Sequence, residues 1–176
     1  MTSSGPYTEA FNYRQMFDIQ DLRGQLPLSA LNPSSIAGYI DSNPKLSFFN
    51  HLIKKANKTN ELNDPLANRT MFIPLDNLLS PEEKKAILSA DGNTALHYLA
   101  SCSLKNIIPS DLLRESGCAT YYTLNRPNNI FVNLNAENFL LNHRVSIVSP
   151  DIHLSNGLIH LTNGLLTPLF STELGS

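Results

Sequence analysis

The stretch 155-SNGLIHLTNGLLTP-168 decides how the C-terminal half of this chain folds. It contains two Asn-Gly pairs, and an apolar run follows each pair. Asn-Gly between two apolar runs favours a two-residue β-hairpin turn, because both central residues of that turn need positive φ. We therefore predict a strand over 157–162, a hairpin turn at Asn163-Gly164 and a short returning strand over 165–168. Asn156-Gly157 is predicted to form a second tight turn that leads into the first strand.

His160 lies in the middle of that predicted strand. Side chains alternate along a strand, so His160 shares a face with Leu158 and Thr162, while Ile159 and Leu161 share the other. No pattern typical of a nucleophile or a metal ligand accompanies this single histidine. We therefore expect its ring to hydrogen-bond a neighbouring loop and to fix the path of that loop.

The remaining pattern predicts an α+β fold. The helices come first in the chain, and they pack on a compact, twisted, mostly antiparallel sheet or small barrel. Ser80, Pro81 and Glu83 form a capping box at a helix start, and Asn93 is predicted to cap the next helix. Helices are predicted from Ser35 to Asn43, over 46–57, from Ser80 to Ala90, over 94–102 and from Pro109, and strands over 69–74, 118–124, 130–134 and 144–149.

The length and charge of the chain limit the classes of function. Its 176 residues fit one domain. We divide the chain into a partly ordered N-terminal extension at 1–33, the domain at 34–170 and a tail at 171–176. The net charge is −2, and the 13 lysines and arginines form no basic stripe, so no nucleic-acid partner is expected. No apolar run approaches the roughly 18 residues of a membrane span, so membrane attachment would need a segment absent from this chain.

Two cysteines and two sequons bear on the cellular compartment. Cys102 and Cys118 enclose a short loop, and a bridge between them would stabilise the fold by about 3 kcal/mol. Two buried free thiols are the equally weighted alternative. Asn57 and Asn68 each begin an Asn-x-Thr sequon, which predicts N-glycosylation if the chain enters the secretory pathway.

Two motifs in the chain resemble the signature boxes of the fasciclin-like domain family. The segment 70-TMFIPLD-76 is similar to the first box, and 156-NGLIHLTNGLLTP-168 is similar to the second. The positions that carry the resemblance are Thr70, Phe72, Pro74, Asp76, Asn156, Gly157, Ile159, His160, Leu165, Leu166 and Pro168. With the intervening segments, the resemblance covers about three quarters of the chain, and it implies a fasciclin-like α+β fold.

The central helix departs from the family pattern. Many members carry a Tyr-His pair there that is tied to adhesion, whereas here Tyr98 is followed by Leu99 and His97 precedes it. This difference counts against integrin-type recognition. Tyr98 and His97 nevertheless become the first candidates for partner binding, because the resemblance places them on that helix.

A search for catalytic groups gives little. No nucleophile elbow, phosphate loop or zinc-protease motif occurs, and no pair of carboxylates suits acid–base catalysis. His143, His153 and His160 could converge in a sheet, but the pattern predicts neither a metal nor a cofactor. We instead expect Thr70, Asp76 and His160 to form a polar network that joins the two motifs.

The resemblance implies a non-enzymatic module for adhesion or protein–protein interaction, as part of a larger anchored glycoprotein at the cell surface, in the matrix or in a lumen. The expected partner is another protein, with a second copy of the same chain as one option. A cytoplasmic location is the runner-up. The alternative function is a carrier or sensor of a lipid or other small apolar ligand in a groove between helices and sheet, for which an apolar pocket above roughly 300 Å³ would be needed.

Overall fold

The computed structural model describes residues 31–167, so most of the predicted extension, the predicted tail and Pro168 lie outside the described residues. The α-helices of this range are α1 (Ile36–Ser42), α2 (Ser47–Lys55), α3 (Thr59–Asn63), α4 (Pro81–Ser89), α5 (Gly92–Ser101) and α6 (Ser110–Ser116). Short 3-10 helices span Pro44–Leu46 and Asp76–Leu78. The strands are β1 (Arg69–Pro74), β2 (Ser103–Lys105), β3 (Cys118–Tyr122), β4 (Asn129–Asn135), β5 (Asn138–Leu141), β6 (Val145–Leu154) and β7 (Gly157–Thr162).

The strands form one sheet in the order β2-β1-β7-β6-β5-β4-β3. Only β1 and β7 run parallel, and the other neighbours are antiparallel. The sheet curves far enough for its two ends to meet: Leu104 bridges Thr123, and the Leu124 N–H donates to the Ser103 carbonyl at 3.1 Å. The predicted α+β class, with a mostly antiparallel sheet, is confirmed.

Strand β6 bends the sheet. Its first residues pair with β5, whereas its later part pairs with β7, with register shifts between Ile147 and Ser149 and between Ser149 and Ile152. Irregularities of this kind insert extra residues and increase the local twist. The predicted strand over 144–149 therefore continues through the bulged region to Leu154.

Side chains satisfy amides at several helix starts. Ser35 caps α1, and Ser80 with Glu83 forms the predicted capping box of α4. The prediction that Asn93 caps α5 is wrong. Asp91 is the cap, since its carboxylate accepts from the Thr94 N–H at 2.8 Å, and the helix begins two residues earlier than predicted.

The core lies between the helices and the concave sheet. On α2, Phe49, Leu52 and Ile53 are buried as their helical spacing predicts. They pack in one cluster with Phe72 and Ile73 of β1. Full burial of each such side chain contributes about 1.5–3 kcal/mol of transfer free energy, so this apolar layer holds the helices on the sheet.

The predicted hairpin at Asn163-Gly164 is wrong. Neither residue has positive φ, and no strand follows β7 within the described residues. The Asn163 side chain instead accepts from the Ser146 N–H at 2.9 Å, and Glu83 accepts from the Leu165 N–H at 2.9 Å. Leu165 then inserts into the core, so burial and these side-chain bonds override the local turn preference.

The tight turn forms at the first Asn-Gly pair. Leu154 of β6 pairs with Gly157 of β7, which leaves Ser155 and Asn156 as the two turn residues. The turn is thus one residue earlier than predicted. The short elements α3, β2 and β5 were not predicted, because each has too few residues to show a period.

We expect Gly157→Ala to destabilise the protein by about 1–3 kcal/mol, as overpacked positions do. A Cβ at this position would lie 2.5 Å from Ile36 Cδ1 and 2.6 Å from the Arg69 carbonyl oxygen. Urea unfolding measures the difference. Leu88→Ala, at a position 58% exposed, should change stability by less than about 0.5 kcal/mol. Equal effects of the two variants would contradict the steric argument.

Candidate functional site

Thr70, in the first motif, binds the segment that connects β2 to α6. Its side chain is fully buried. The Thr70 hydroxyl donates to the Asn106 carbonyl at 2.8 Å and accepts from the Ile108 N–H at 2.7 Å. One hydroxyl therefore satisfies two backbone groups that form no hydrogen bonds with a neighbouring strand.

His160, in the second motif, binds the same segment from the neighbouring strand. Its Nε2 lies 2.9 Å from the Ile108 carbonyl, and its Nδ1 accepts from the Asp151 N–H at 3.1 Å. Because a carbonyl only accepts and a backbone N–H only donates, these partners fix the neutral tautomer with the proton on Nε2. The Phe72 ring stacks on the imidazole with centroids 5.4 Å apart.

Burial is the main cause that lowers the pKa of His160 below its usual 6.5. The bond to the Ile108 carbonyl and the Asp151 carboxylate act in the opposite direction, and His153 adds to the lowering. The ring is therefore a neutral, fully bonded core group at neutral pH. It is not poised as a base at an open site.

Asp151 extends this arrangement to helix α6. Its carboxylate accepts from the Ser110 N–H at 2.8 Å and from the Ser110 hydroxyl. Burial alone would raise the pKa of Asp151, but these bonds and the nearby His160 and His153 lower it. Sequence reasoning missed Asp151, because an aspartate after a proline in a bulged strand carries no motif of its own.

Asp76 does not join Thr70 and His160. Its carboxylate accepts from the Ser47 N–H and the Phe48 N–H, each at 3.0 Å, and from the Ser47 hydroxyl at 2.5 Å. It therefore satisfies the free amides at the start of α2, where the preceding Leu46 provides no side-chain cap. The predicted three-residue network is divided: Thr70 and His160 hold one connection, and Asp76 caps a helix.

Asn156 links three elements at the other end of β7. Its Oδ1 accepts from the Ile36 N–H at 2.8 Å, and its Nδ2 donates to the carbonyls of Leu62 and Asp64, both at 2.8 Å. These bonds join the start of α1 to the end of α3. The side chain is 4% exposed, and its amide uses both its oxygen and its nitrogen on backbone groups.

The other motif residues pack. Ile159 and Phe72 are fully buried, and Pro74 ends β1 opposite Thr162 of β7. Pro168 lies outside the described residues. Within the described part of both motifs, the polar side chains therefore bond backbone groups of the protein itself.

The candidate partner-binding residues lie on or beside a groove next to α5. His97 is exposed, and its Nδ1 lies 3.2 Å from Asn125 Oδ1, whereas Tyr98 is half-buried and packs against the core. The groove has a volume of about 290 Å³. It is lined by Lys58, Glu61, Leu62, Arg69, Met71, Leu96, His97, Leu99, Ala100, Ser103, Leu124 and Asn125.

The groove combines an apolar wall with a charged rim. Leu96 and Leu124 are 38% and 39% exposed, although both side chains are apolar. At the rim, Arg69 and Lys58 both pair with Glu61. The groove therefore offers an apolar contact area next to a set of paired charges.

A second and larger depression, of about 720 Å³, lies beside Asp76. It is lined by Tyr39, Pro44, Leu75 and Leu161 together with Asn43, Lys45, Asp76, Asn77 and Ser149. Five of these nine residues have polar or charged side chains, but apolar atoms form most of the surface that lines the depression. A carrier of small apolar ligands needs a mostly apolar pocket above roughly 300 Å³. The groove beside α5 is close to that volume and the depression beside Asp76 exceeds it, so the alternative function as a carrier of small apolar ligands stays a prediction.

The two cysteines are free thiols in the structure. Cys102 is buried, and burial raises the pKa of its thiol to about 12. Cys118 is exposed at the start of β3. The alternative with free thiols therefore describes this structure, but only one of the two is buried.

The two sequon asparagines are exposed. Asn57 follows α2 with φ +59°, and Asn68 precedes β1 with φ +50°. Asn57 lies in a turn and Asn68 in the irregular segment before β1. The next residue in each sequon (Lys58 or Arg69) lines the charged rim of the groove.

Residues 31–167 include no group of three or more His, Cys, Asp or Glu side chains arranged to hold a metal ion. His143 stacks on Phe131, apart from His153 and His160 on β6 and β7. No helix within the same range is long and apolar enough to cross a membrane.

We expect Thr70→Val to destabilise the protein by about 2–4 kcal/mol, because it preserves the shape of the side chain but leaves the Asn106 carbonyl and the Ile108 N–H unbonded. Thr70→Ser keeps the hydroxyl and should cost less than about 1.5 kcal/mol. Urea unfolding of both variants measures the difference. A serine variant as unstable as the valine variant would show that packing, rather than hydrogen bonding, sets the role of Thr70.

Comparison with known proteins agrees with this geometry. The fasciclin domain family matches residues 44–168, well over half of the chain. A comparison with curated protein sequences found no match. The structure of a FAS1 domain pair from the insect cell adhesion molecule fasciclin I is similar, with a TM-score of 0.60 and 18% sequence identity over 80% of this chain and 52% of that chain. This chain thus spans about half the length of that two-domain structure, and the likeness concerns the fold. The family match shows that the chain belongs to the fasciclin domain family.

Proposed function

We propose that this chain is a non-enzymatic module for adhesion through protein–protein interaction. It serves as part of a larger glycoprotein at the cell surface, in the matrix or in a lumen. Family membership supports the adhesive role, since the similar two-domain structure belongs to a protein described as a cell adhesion molecule. The partner is another protein, and a second copy of the chain is one such partner.

One observation carries this proposal. The polar groups of both family motifs are used to satisfy backbone groups, as Thr70, Asp76, Asn156 and His160 each demonstrate. Groups held in this way build the scaffold, because their hydrogen bonds are directed at the protein itself. Recognition is therefore left to side chains that the scaffold presents at its surface.

The groove beside α5 is the surface we assign to the partner. Leu96 and Leu124 present apolar area there, and His97 stands on the same helix as Leu96. Apolar anchors surrounded by polar groups are the usual composition of a binding hot spot. Tyr98 contributes mainly by packing, since it is half-buried against the core.

We expect Leu96→Asp to weaken adhesion about tenfold or more, as loss of a hot-spot anchor does. The probe is a set of fluorescent beads coated with the protein, mixed with each other and with cultured cells. Binding is counted before and after the cells are treated with trypsin. A charged side chain at this position would have to be desolvated on binding.

The matched control is Leu88→Asp, on the exposed face of α4 at 58% exposure. This variant should bind like the wild-type protein, and urea unfolding of both variants verifies that each is folded. Equal loss of binding in the two variants would contradict the assignment of the groove. If wild-type beads bound neither each other nor any protein of the cells, the adhesive function itself would be wrong.

Glycosylation tests the proposed compartment. We expect Asn57 and Asn68 to carry N-linked glycans when the protein is secreted from mammalian cells, because both residues are exposed outside the helices and strands. Mass spectrometry before and after removal of N-glycans measures the occupancy of each site. Asn57→Gln and Asn68→Gln should each remove one glycan and leave the bonds of the buried Thr70 intact. Two unmodified sequons on the secreted protein would contradict the glycoprotein assignment.

A further inference from the structure

The backbone at Asp151, which follows Pro150 in the bulged part of β6, has an unusual conformation. Asp151 has φ +64°, in the left-handed region that side chains other than glycine rarely occupy. Pro150 is exposed, so one side of this peptide faces solvent. The other side directs the Asp151 N–H at His160 Nδ1, 3.1 Å away. The bond to the imidazole therefore helps to hold Asp151 in a disfavoured conformation.

The same residue attaches helix α6 to the sheet. The Asp151 carboxylate accepts from both the N–H and the hydroxyl of Ser110, the first residue of α6. The orientation of Asp151 thus depends on its backbone bond to His160, while the start of α6 depends on the side chain of Asp151. A change at the imidazole would be transmitted to the helix.

A proton added to His160 would meet an unfavourable geometry. Nε2 already carries the hydrogen that it donates to the Ile108 carbonyl at 2.9 Å, so a second proton can bind only at Nδ1. There it would face the Asp151 N–H, and two donors cannot bond each other. The ring is completely buried, so water cannot replace the lost acceptor without local movement.

A flip of the peptide resolves this conflict. Rotation of the peptide plane would exchange the Asp151 N–H for the Pro150 carbonyl, which accepts from a protonated Nδ1. The same rotation changes φ of Asp151 by about 180°, from the left-handed region to the extended region that any residue adopts. The flipped state is therefore matched to the charged imidazole, and the observed state to the neutral one.

We propose that His160 and the Pro150–Asp151 peptide form an acid-sensitive switch, in which protonation of His160 flips the peptide and loosens the attachment of α6 to β6. Thr70 still holds the segment before α6, so the part that loosens is the start of α6 at Ser110. Acidification thus changes how α6 packs on β6, and none of the residues that form the switch lines the groove beside α5.

Burial of the ring, rather than its charged neighbours, sets the direction of the shift in the pKa of His160. Of the described residues that pack on the ring, Asp151 favours the proton and His153 opposes it, both from β6. Strand β1 contributes the Phe72 ring and the segment before α6 contributes the Ile108 carbonyl, neither of which titrates. Burial is the largest effect, so the pKa of His160 lies below 6.5 in the observed state. The observed peptide orientation is favoured while His160 is neutral in both states. This advantage falls as the pH drops from the pKa of His160 in the flipped state towards its lowered pKa in the observed state.

Amide hydrogen exchange tests the switch, with rates corrected for the intrinsic effect of pH. Between about pH 7.5 and about pH 5, we expect the protection of the Asp151 amide and of the amides at the start of α6 to fall. The fall should approach about tenfold for each pH unit over which His160 is protonated only in the flipped state. Core amides of β1 should keep their protection over the same range.

Two variants separate this switch from general acid sensitivity. The side-chain amide introduced by His160→Gln can accept from the Asp151 N–H and donate to the Ile108 carbonyl but cannot gain a proton, so the pH effect should disappear. His153→Gln removes the neighbouring histidine and should retain the effect. Wild-type protection that does not change with pH, or a fall that persists in His160→Gln, would overturn the proposal.

If His160→Gln does not fold, the wild-type protein still provides a decisive measurement. The ring resonances of His160 and the amide resonance of Asp151 should titrate together with one shared midpoint in an NMR pH series. An Asp151 amide that shows no transition at the midpoint of the ring would exclude the peptide flip.

Discussion

The parallel pairing of β1 with β7 is the constraint on which the rest of the structure depends. It brings Thr70 opposite Leu158, Phe72 opposite His160 and Pro74 opposite Thr162. Parallel neighbours require a long connection, and here that connection contains three α-helices and five strands. Strand β7 is buried along its whole length, so the pair lies at the centre of the fold. Both family motifs are conspicuous in the sequence because they form the two sides of this pair.

The central position explains why polar residues occur within such a buried pair. An unpaired backbone group in a dry interior costs about 1–3 kcal/mol, and the connection from β2 to α6 crosses the sheet with groups that no strand satisfies. Thr70 and His160 provide the missing partners from the two adjacent strands. Asn156 does the same for the ends of α1 and α3. These side chains act as local substitutes for a hydrogen-bond ladder.

Sequence reasoning was accurate where a signal was local and strong. The capping box at Ser80, the apolar stripe of α2 and the apolar run of β1 can each be recognised from neighbouring residues alone. It failed where a distant group competed with a local preference, as when Glu83 captures the Leu165 amide and no hairpin forms at Asn163. Asp151 was missed for a related reason, since its role exists only after β6, β7 and α6 have come together.

The motif residues build the scaffold, whereas the proposed partner-binding residues lie at the surface. Family membership therefore predicts the fold of this protein better than it predicts the partner. Substitution of a motif residue such as Asn156 would disturb several elements together, because its bonds end on the backbone of α1 and of the segment at the end of α3. Leu96 and Leu124 have no side-chain hydrogen-bonding groups, so their side chains can vary without loss of such bonds. The motifs therefore specify the fold independently of the partner. Under the proposed assignment, recognition depends on groove residues, most of which lie outside the two motifs. The absence of the family's Tyr-His pair from α5 therefore alters the expected partner but leaves the architecture unchanged.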